Sequence, residues 1–288
     1  MKEIVLKKGK NKFRIKLLTN KDDYLLVIRK KLGIKKNVME DLLEEQRPNT
    51  LNFKDYSLVS MSFPTGETLK TGSNLLQINF IIKTNELIII TNKESKRVNN
   101  AFSKLTTIEF SGVTNALSYI IDSVREQTID MLEEVDEYLD KKEKDIVRSK
   151  INKSLLIEMY DLKERMYYIY KTVKGNLEVV RELYDGRVKF VKNKYFSEHH
   201  EDRSLYMLDL INYLREAISN KIETYLSLMS HNVNEQMYKL TVLGSILLIP
   251  TLISGFFGMN VVLPSLGFWE LIGISSLLSF LTYLLIKK

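Results

Sequence analysis

Charged and apolar positions are unevenly distributed along this chain. Charges recur through the first 239 residues, and then none occurs from Thr241 to Trp269. Residues 240–260 read LTVLGSILLIPTLISGFFGMN, a run long enough to cross a bilayer, whose hydrocarbon takes roughly 20 apolar residues as helix. A second apolar stretch, residues 268–286, carries Glu270 as its only charge. Between them lies GMNVVLPSLG, where Gly258, Asn260, Pro264 and Gly267 all argue against continuous helix. The pattern predicts two membrane-spanning helices joined by a tight loop.

Upstream the periodicity changes twice. Residues 1 to about 95 predict mixed α/β structure, with β-rich runs at 13–18, 24–28 and 57–63. The clearest pair is 75–82 and 86–91, with Lys83-Thr84-Asn85 as the turn. Residues 36–46 read as a helix stopping before Pro48, and 64–72 as loop. After this, no proline occurs between Pro64 and Pro250, and between Gly112 and Gly244 the only glycines are Gly175 and Gly186. That predicts a few very long helices. One, at 114–147, carries the stripe Ile121, Val124, Met131, Leu132, Val135 and Leu139; another, at 152–192, carries Leu155, Leu162, Met166, Ile169, Val173 and Leu177. A third starts near Asp202 and shows no break before Pro250. Run to Phe257 it would span roughly 84 Å, and a helix of that length needs partners, for which self-association is the natural source. Pro250 should leave the Ile246 carbonyl without its helical partner, to face a pore or be taken by a neighbouring helix.

Composition removes several function classes. There is no cysteine and there are three histidines, so no disulfide framework, thiolate metal site or cysteine nucleophile is available. The formal charge is +7, but basic residues are scattered among acids, which speaks against nucleic acid. No nucleotide loop, nucleophile–base pair or clustered metal triad supports an enzyme. The N-terminal residues have no sustained apolar core and predict no cleaved signal peptide. Lys239 precedes the first span, Lys287 and Lys288 follow the second, and the connector has no basic residue. By the positive-inside rule both termini and the soluble part are expected in the cytoplasm.

Two motifs on the third helix carry a family resemblance. PTLISGFFGMN, ending at Asn260, resembles the close of the first transmembrane helix in the CorA family of magnesium channels. Asn234, Met237, Leu240 and Thr241 match the N-x-x-M-x-x-L-T pattern found where that helix enters the membrane. The resemblance implies an α+β membrane protein forming a symmetric oligomer, a homopentamer in this family. Its expected parts are an N-terminal cytoplasmic α/β domain (1–100), long cytoplasmic helices (101–200), a pore-lining stalk helix with the first span (201–257), an outer loop (258–267) and a second span with a basic end (268–288). The function it implies is passive Mg²⁺ uptake, with Co²⁺ or Ni²⁺ as further cargo, closed by cytoplasmic Mg²⁺.

Mg²⁺ dehydrates reluctantly, so a selective site can hold it through its water shell with amide and carbonyl oxygens. By resemblance, Gly258, Met259 and Asn260 form that site, and glycine at 258 would let the backbone turn and copies approach. The competing reading is that Gly-Asn merely caps a helix. The family's pore lining maps onto Asn234, Met237, Thr241 or Leu240, and Thr251; Leu248 shares their face.

In the family, carboxylates bind regulatory Mg²⁺ between neighbouring chains. The matching stretch here leaves Glu198, Glu201 and Asp202 as alternatives. Residues 122–145 hold ten acids against four basic residues, which reads as a solvated face before a metal site. His199 and His200 could suit a softer metal, but adjacent helical side chains diverge by about 100°, so both are expected exposed. One departure stands out: relatives often carry an acid after the loop proline, where this chain has Ser265. Glu270 reads as a helix N-terminal acid. A Co²⁺, Ni²⁺ or Zn²⁺ transporter of the same fold, or a membrane-anchored signalling or structural protein, are the alternatives.

Overall fold

Strands form where β-branched and aromatic residues cluster between turn residues. The computed structural model describes residues 1–8, 11–20, 22–34, 44, 46–71, 74–108, 110–148, 153–259 and 266–287. The chain divides into two compact units, Met1–Ile222 and Glu223–Lys288.

The first unit is built on a six-stranded mixed sheet. Its strands are β1 (Lys2–Lys8), β2 (Asn11–Thr19), β3 (Asn49–Asn52), β4 (Ser57–Phe63), β5 (Leu76–Ile82) and β6 (Glu86–Thr91), in the order β1-β2-β6-β5-β4-β3. Among the described residues only β2 and β6 pair in parallel; the other neighbours are antiparallel. β4 and β5 are buried at every position, as expected of strands covered on both faces. On one face Ile78, Phe80, Ile89 and Val59 join a core with Val98, Leu117, Ile120 and Val180. On the other, Leu58, Ile81, Ile88 and Ile90 pack with Leu25 and Ile28. Ile78 and Ile89 have no exposed surface, and each such burial contributes about 1.5–3 kcal/mol.

Helices α1 (Tyr24–Leu32), α2 (Gly66–Thr71) and α3 (Lys96–Lys104) interleave with the strands. Two of them correct the reading from sequence. Residues 24–28 are helix, not strand: Leu25 and Ile28 are the buried positions, a spacing of three that places both on one helical face. Arg29, Lys30 and Lys31 end the helix, and Gly33 closes it at φ 62°, a left-handed conformation that glycine adopts without strain. Residues 66–71 are a short helix rather than loop, with the Thr65 N–H donating to Thr68 Oγ1 at 2.9 Å. Six residues are too few for a period to show. The helix expected at 36–46 lies largely outside the described residues.

Two long helices of the first unit are α4 (Val113–Arg148) and α5 (Lys153–Tyr184). α4 matches expectation. α5 stops eight residues before the expected 192, because Gly186 turns left-handed at φ 72° and the Arg187 N–H returns to the Glu182 carbonyl at 3.0 Å. α5 also closes the sheet edge. β3 pairs with β4 only as far as Ser60, and the Asn176 amide takes the Ser62 N–H at 3.1 Å and its carbonyl at 2.6 Å, as a further strand would. A Cβ at Gly175 would meet Pro48 at 3.0 Å, so the absence of a side chain there permits this approach.

The longest helix, α6, runs unbroken from Glu198 to Phe257 with Pro250 inside it, and α7 covers Phe268–Lys287. α6 begins four residues before the expected start, where the Ser197 N–H donates to His200 Nδ1 at 3.2 Å and the His200 N–H to the Ser197 carbonyl at 2.9 Å. Both α6 and α7 are long and apolar enough to cross a membrane, and almost none of their most apolar windows is buried in the protein.

Candidate functional site

Within the second unit, α6 presents two unlike sides. Val242, Ile246, Ile249 and Ile253 are half-buried, whereas Asn234, Met237, Leu240, Thr241, Leu248 and Thr251 are exposed. At about 100° per residue, the exposed candidates centre roughly opposite the half-buried row. Met237 is 62%, Leu240 70% and Leu248 65% exposed. Extended, the exposed face reads Asn234, Met237, Thr241, Gly244, Leu248, Thr251, Gly255, Gly258, at alternating steps of three and four. That is the spacing of a seam along which parallel helices wind in a left-handed supercoil. Leu240 flanks the seam and Thr241 sits on it.

Sequence reasoning missed Gly244 and Gly255 as members of this seam. Their signal was the unbroken three–four spacing. A Cβ built at either meets nothing within 4 Å, so the fold of one chain does not require glycine there. Small residues on a membrane helix let backbones approach closely.

The seam's polar groups are oriented by the helix itself. The Thr241 hydroxyl donates to the Met237 carbonyl at 2.9 Å, and the Thr251 hydroxyl to the Leu247 carbonyl at 2.8 Å. With the protons so directed, the oxygen lone pairs are left to accept from water. No charge lies on the seam, so a cation in its own hydration shell would be held through water rather than gripped.

At the end of α6 the Gly258 N–H donates to the Ser254 carbonyl at 3.0 Å, and the Met259 N–H to the Phe256 carbonyl at 3.2 Å. Gly258 does not have a positive φ. A left-handed glycine cap is therefore not what ends the helix, and the backbone turn expected of Gly258 does not need glycine. What favours glycine is space: a Cβ there would meet the Ser254 carbonyl at 3.3 Å. Met259 is exposed. Asn260 and Ser265 lie outside the described residues.

Pro250 has the predicted effect, and α7 supplies the remedy. The Ile246 carbonyl, freed because proline has no N–H, accepts a hydrogen bond from Ser279 Oγ at 3.1 Å. Ser279 is 9% exposed, in a helix whose other residues are mostly exposed. Ser279→Ala should lower the stability of the detergent-solubilised protein by about 1 kcal/mol. In a Pro250→Ala background the same change should be nearly silent, since the restored backbone N–H takes the carbonyl. Thermal unfolding of the four proteins measures this, and equal losses in both backgrounds would remove the bond from the account.

At the other end of α7 the Gly267 N–H donates to Glu270 Oε2 at 2.9 Å. Glu270 is the N-terminal acid of its helix, as read from sequence.

In the first unit, the candidate carboxylates divide. Glu201 is bound to Arg181 Nε at 2.7 Å. Glu198 and Asp202 are exposed and four residues apart, hence on one face of α6. Among the described residues, no three His, Asp or Glu side chains of one chain converge to hold a metal.

His199 is exposed but His200 is not, which corrects the expectation for the pair. His200 is 7% exposed, and its Nδ1 accepts the Ser197 N–H at 3.2 Å. That bond leaves the proton on Nε2, which reaches Ser118 Oγ at 2.8 Å and Asp122 Oδ2 at 3.1 Å. Arg125, also buried, donates to the His200 carbonyl at 2.9 Å. Burial alone would raise the Asp122 carboxyl, but the His200 bond and the Arg125 charge outweigh it and hold it below the usual range. A depressed carboxyl stabilises the fold above its unfolded value, and that contribution is lost as pH falls through the folded one. His200→Ala should cost about 2 kcal/mol by stripping buried partners and should move acid unfolding to higher pH. An unchanged acid midpoint would show that Asp122 does not depend on His200.

A mixed-sheet unit, long helices and two helices apolar enough to cross a membrane, one with an uncharged seam, fit the class of integral membrane transporters. The chain belongs to the CorA family: residues 15–288 match the family described as CorA-like Mg²⁺ transporter protein. It is 24% identical over 241 residues to the cobalt/magnesium transport protein CorA of Thermotoga maritima, covering 79% of this chain and 67% of that one. It is 24% identical over 249 residues to the protein of the same name from Methanocaldococcus jannaschii, covering 83% and 77%. Its fold matches the complete structure of the CorA magnesium transporter from Methanocaldococcus jannaschii at a TM-score of 0.80 and 20% identity, over 99% of this chain and 92% of that one. The family is one of transporters, not enzymes.

Proposed function

We propose that this protein is a divalent-cation channel that admits Mg²⁺ passively, driven by an inside-negative membrane potential. Copies of the chain assemble through the α6 seam, five-fold if they follow the resemblance, and the same seam lines the pathway. The observation that carries this reading is the uncharged three–four row from Asn234 to Gly258, turned away from α7. Asn234, Met237 and Thr241, flanked by Leu240, form the cytoplasmic entrance, where the Met and Leu rings narrow the path and gate by dewetting. Leu248 and Thr251 follow, and Gly258, Met259 and Asn260 hold the hydrated ion at the outer mouth. Both termini are cytoplasmic, in keeping with Lys239 and the terminal lysines.

Regulatory Mg²⁺ binds between neighbouring chains and holds the channel closed. Because Glu201 is engaged by Arg181, the carboxylates free for that task are Glu198 and Asp202. Co²⁺ is a second cargo, since both curated relatives are named cobalt/magnesium transport proteins.

Full-length protein in vesicles with an inside-negative potential tests the reading. Mg²⁺ influx, and slower Co²⁺ influx, is expected. An intact oligomer that passes neither of these, nor Ni²⁺ or Zn²⁺, would point to a structural or signalling role instead.

A further inference from the structure

Opposite the seam, the second unit carries a groove of about 420 Å³ lined by Tyr238, Lys239, Val242, Leu243, Ile246 and Tyr283. Its volume is within the ~300–1,000 Å³ of sites that take one small ligand. The groove is amphiphilic along its length. Val242, Leu243 and Ile246 make an apolar wall on α6, where the uncharged run begins, and Lys239 stands one turn earlier. Two tyrosines flank it, and Tyr238 Oη donates to the Ile286 carbonyl at 3.2 Å. Tyrosine and lysine at the edge of an apolar span are the residues that meet lipid headgroups. Among the described residues, no acid lines the groove. Glu235 holds Lys239 at 2.7 Å from one turn back, which occupies one of the three ammonium donors and leaves two for a headgroup.

We propose that this groove binds an anionic phospholipid of the inner leaflet, with an acyl chain along Val242, Leu243 and Ile246 and its phosphate at Lys239. Assignment to the inner leaflet rests on the cytoplasmic placement of this end of the span. The occupant is lipid rather than a second copy because the glycines that permit close approach, Gly244 and Gly255, lie on the other side of α6. Basic pockets between membrane helices on the cytoplasmic side suit anionic headgroups. The lipid would also touch the α6 turn whose Ile246 carbonyl is held by Ser279, so occupancy reaches the pore helix at its proline break.

Native mass spectrometry of the full-length protein in detergent, titrated with palmitoyl-oleoyl phosphatidylglycerol or phosphatidylcholine, tests this without requiring transport or a known orientation. One basic residue at an anionic headgroup is worth about a fivefold change in affinity. The wild type should retain phosphatidylglycerol about fivefold over phosphatidylcholine. Lys239→Gln should bring that ratio close to one, and Val242→Trp, which fills the groove, should reduce retention of both lipids while the oligomer mass is unchanged. Absence of a preference in the wild type, or a preference that survives both substitutions, overturns the proposal. So does a Val242→Trp protein that loses its oligomer but keeps its lipid, since the groove would then hold another copy.

Discussion

Asn260→Ala should reduce Mg²⁺ influx into potential-driven vesicles at least about 100-fold. The side-chain amide oxygen is proposed to accept hydrogen bonds from water already bound to the ion, and alanine offers none. Hydrogen bonds to charged groups are worth about 1.5–3 kcal/mol each, and every copy in the ring loses its own. Two such losses already account for a factor of 100. The preceding backbone should not change, because Gly258 and Met259 are held by bonds back to Ser254 and Phe256. Oligomer mass and thermal stability should therefore match the wild type. Equal flux in both proteins would leave transport standing and remove Asn260 from ion selection.

Gly244→Leu should lower influx by at least about tenfold, while Gly273→Leu leaves it near the wild-type rate. The pair is informative because a Cβ at either position meets nothing within 4 Å in one chain, and both substitutions raise helix propensity by about 0.8 kcal/mol. Destabilised helix thus cannot explain a loss at position 244. Only Gly244 lies on the seam, where bulk either props neighbouring helices apart or narrows the path between them. Similar flux from the two variants, high or low, would contradict the assignment of this face to the assembly.

Much of the architecture was legible because it depends on short-range pattern. The pairing of β5 with β6 follows from two apolar runs around Lys83-Thr84-Asn85, and the long helices follow from the absence of proline and the scarcity of glycine. Where windows were short or residues ambiguous, pattern misled. Tyr24, Val27 and Ile28 favour a strand by type, yet Leu25 and Ile28 face the core from a helix.

The candidate site was legible only along one helix. Asn234, Met237 and Thr241 could be read from spacing, but Gly244 and Gly255 were passed over because glycine in a helix reads as a defect. Half of the Pro250 arrangement was visible, namely the freed carbonyl; its partner Ser279 sits 33 residues away on another helix. His200 was misjudged for the same reason, since Ser118 and Asp122 reach it from α4. Contacts between distant elements leave no period to find.

The Pro250–Ser279 arrangement also bears on how the chain is made. At about 5–20 residues per second, the ribosome completes the first span a few seconds before it reaches Ser279. Through that interval the Ile246 carbonyl has neither its backbone donor nor its serine. In hydrocarbon an unpartnered carbonyl is unfavourable, so the first span should rest incompletely settled, beside water or the insertion machinery. It can move fully into lipid once the second span arrives. The two spans are in this sense a single insertion event, and truncation before Ser279 should leave the first poorly held in the membrane.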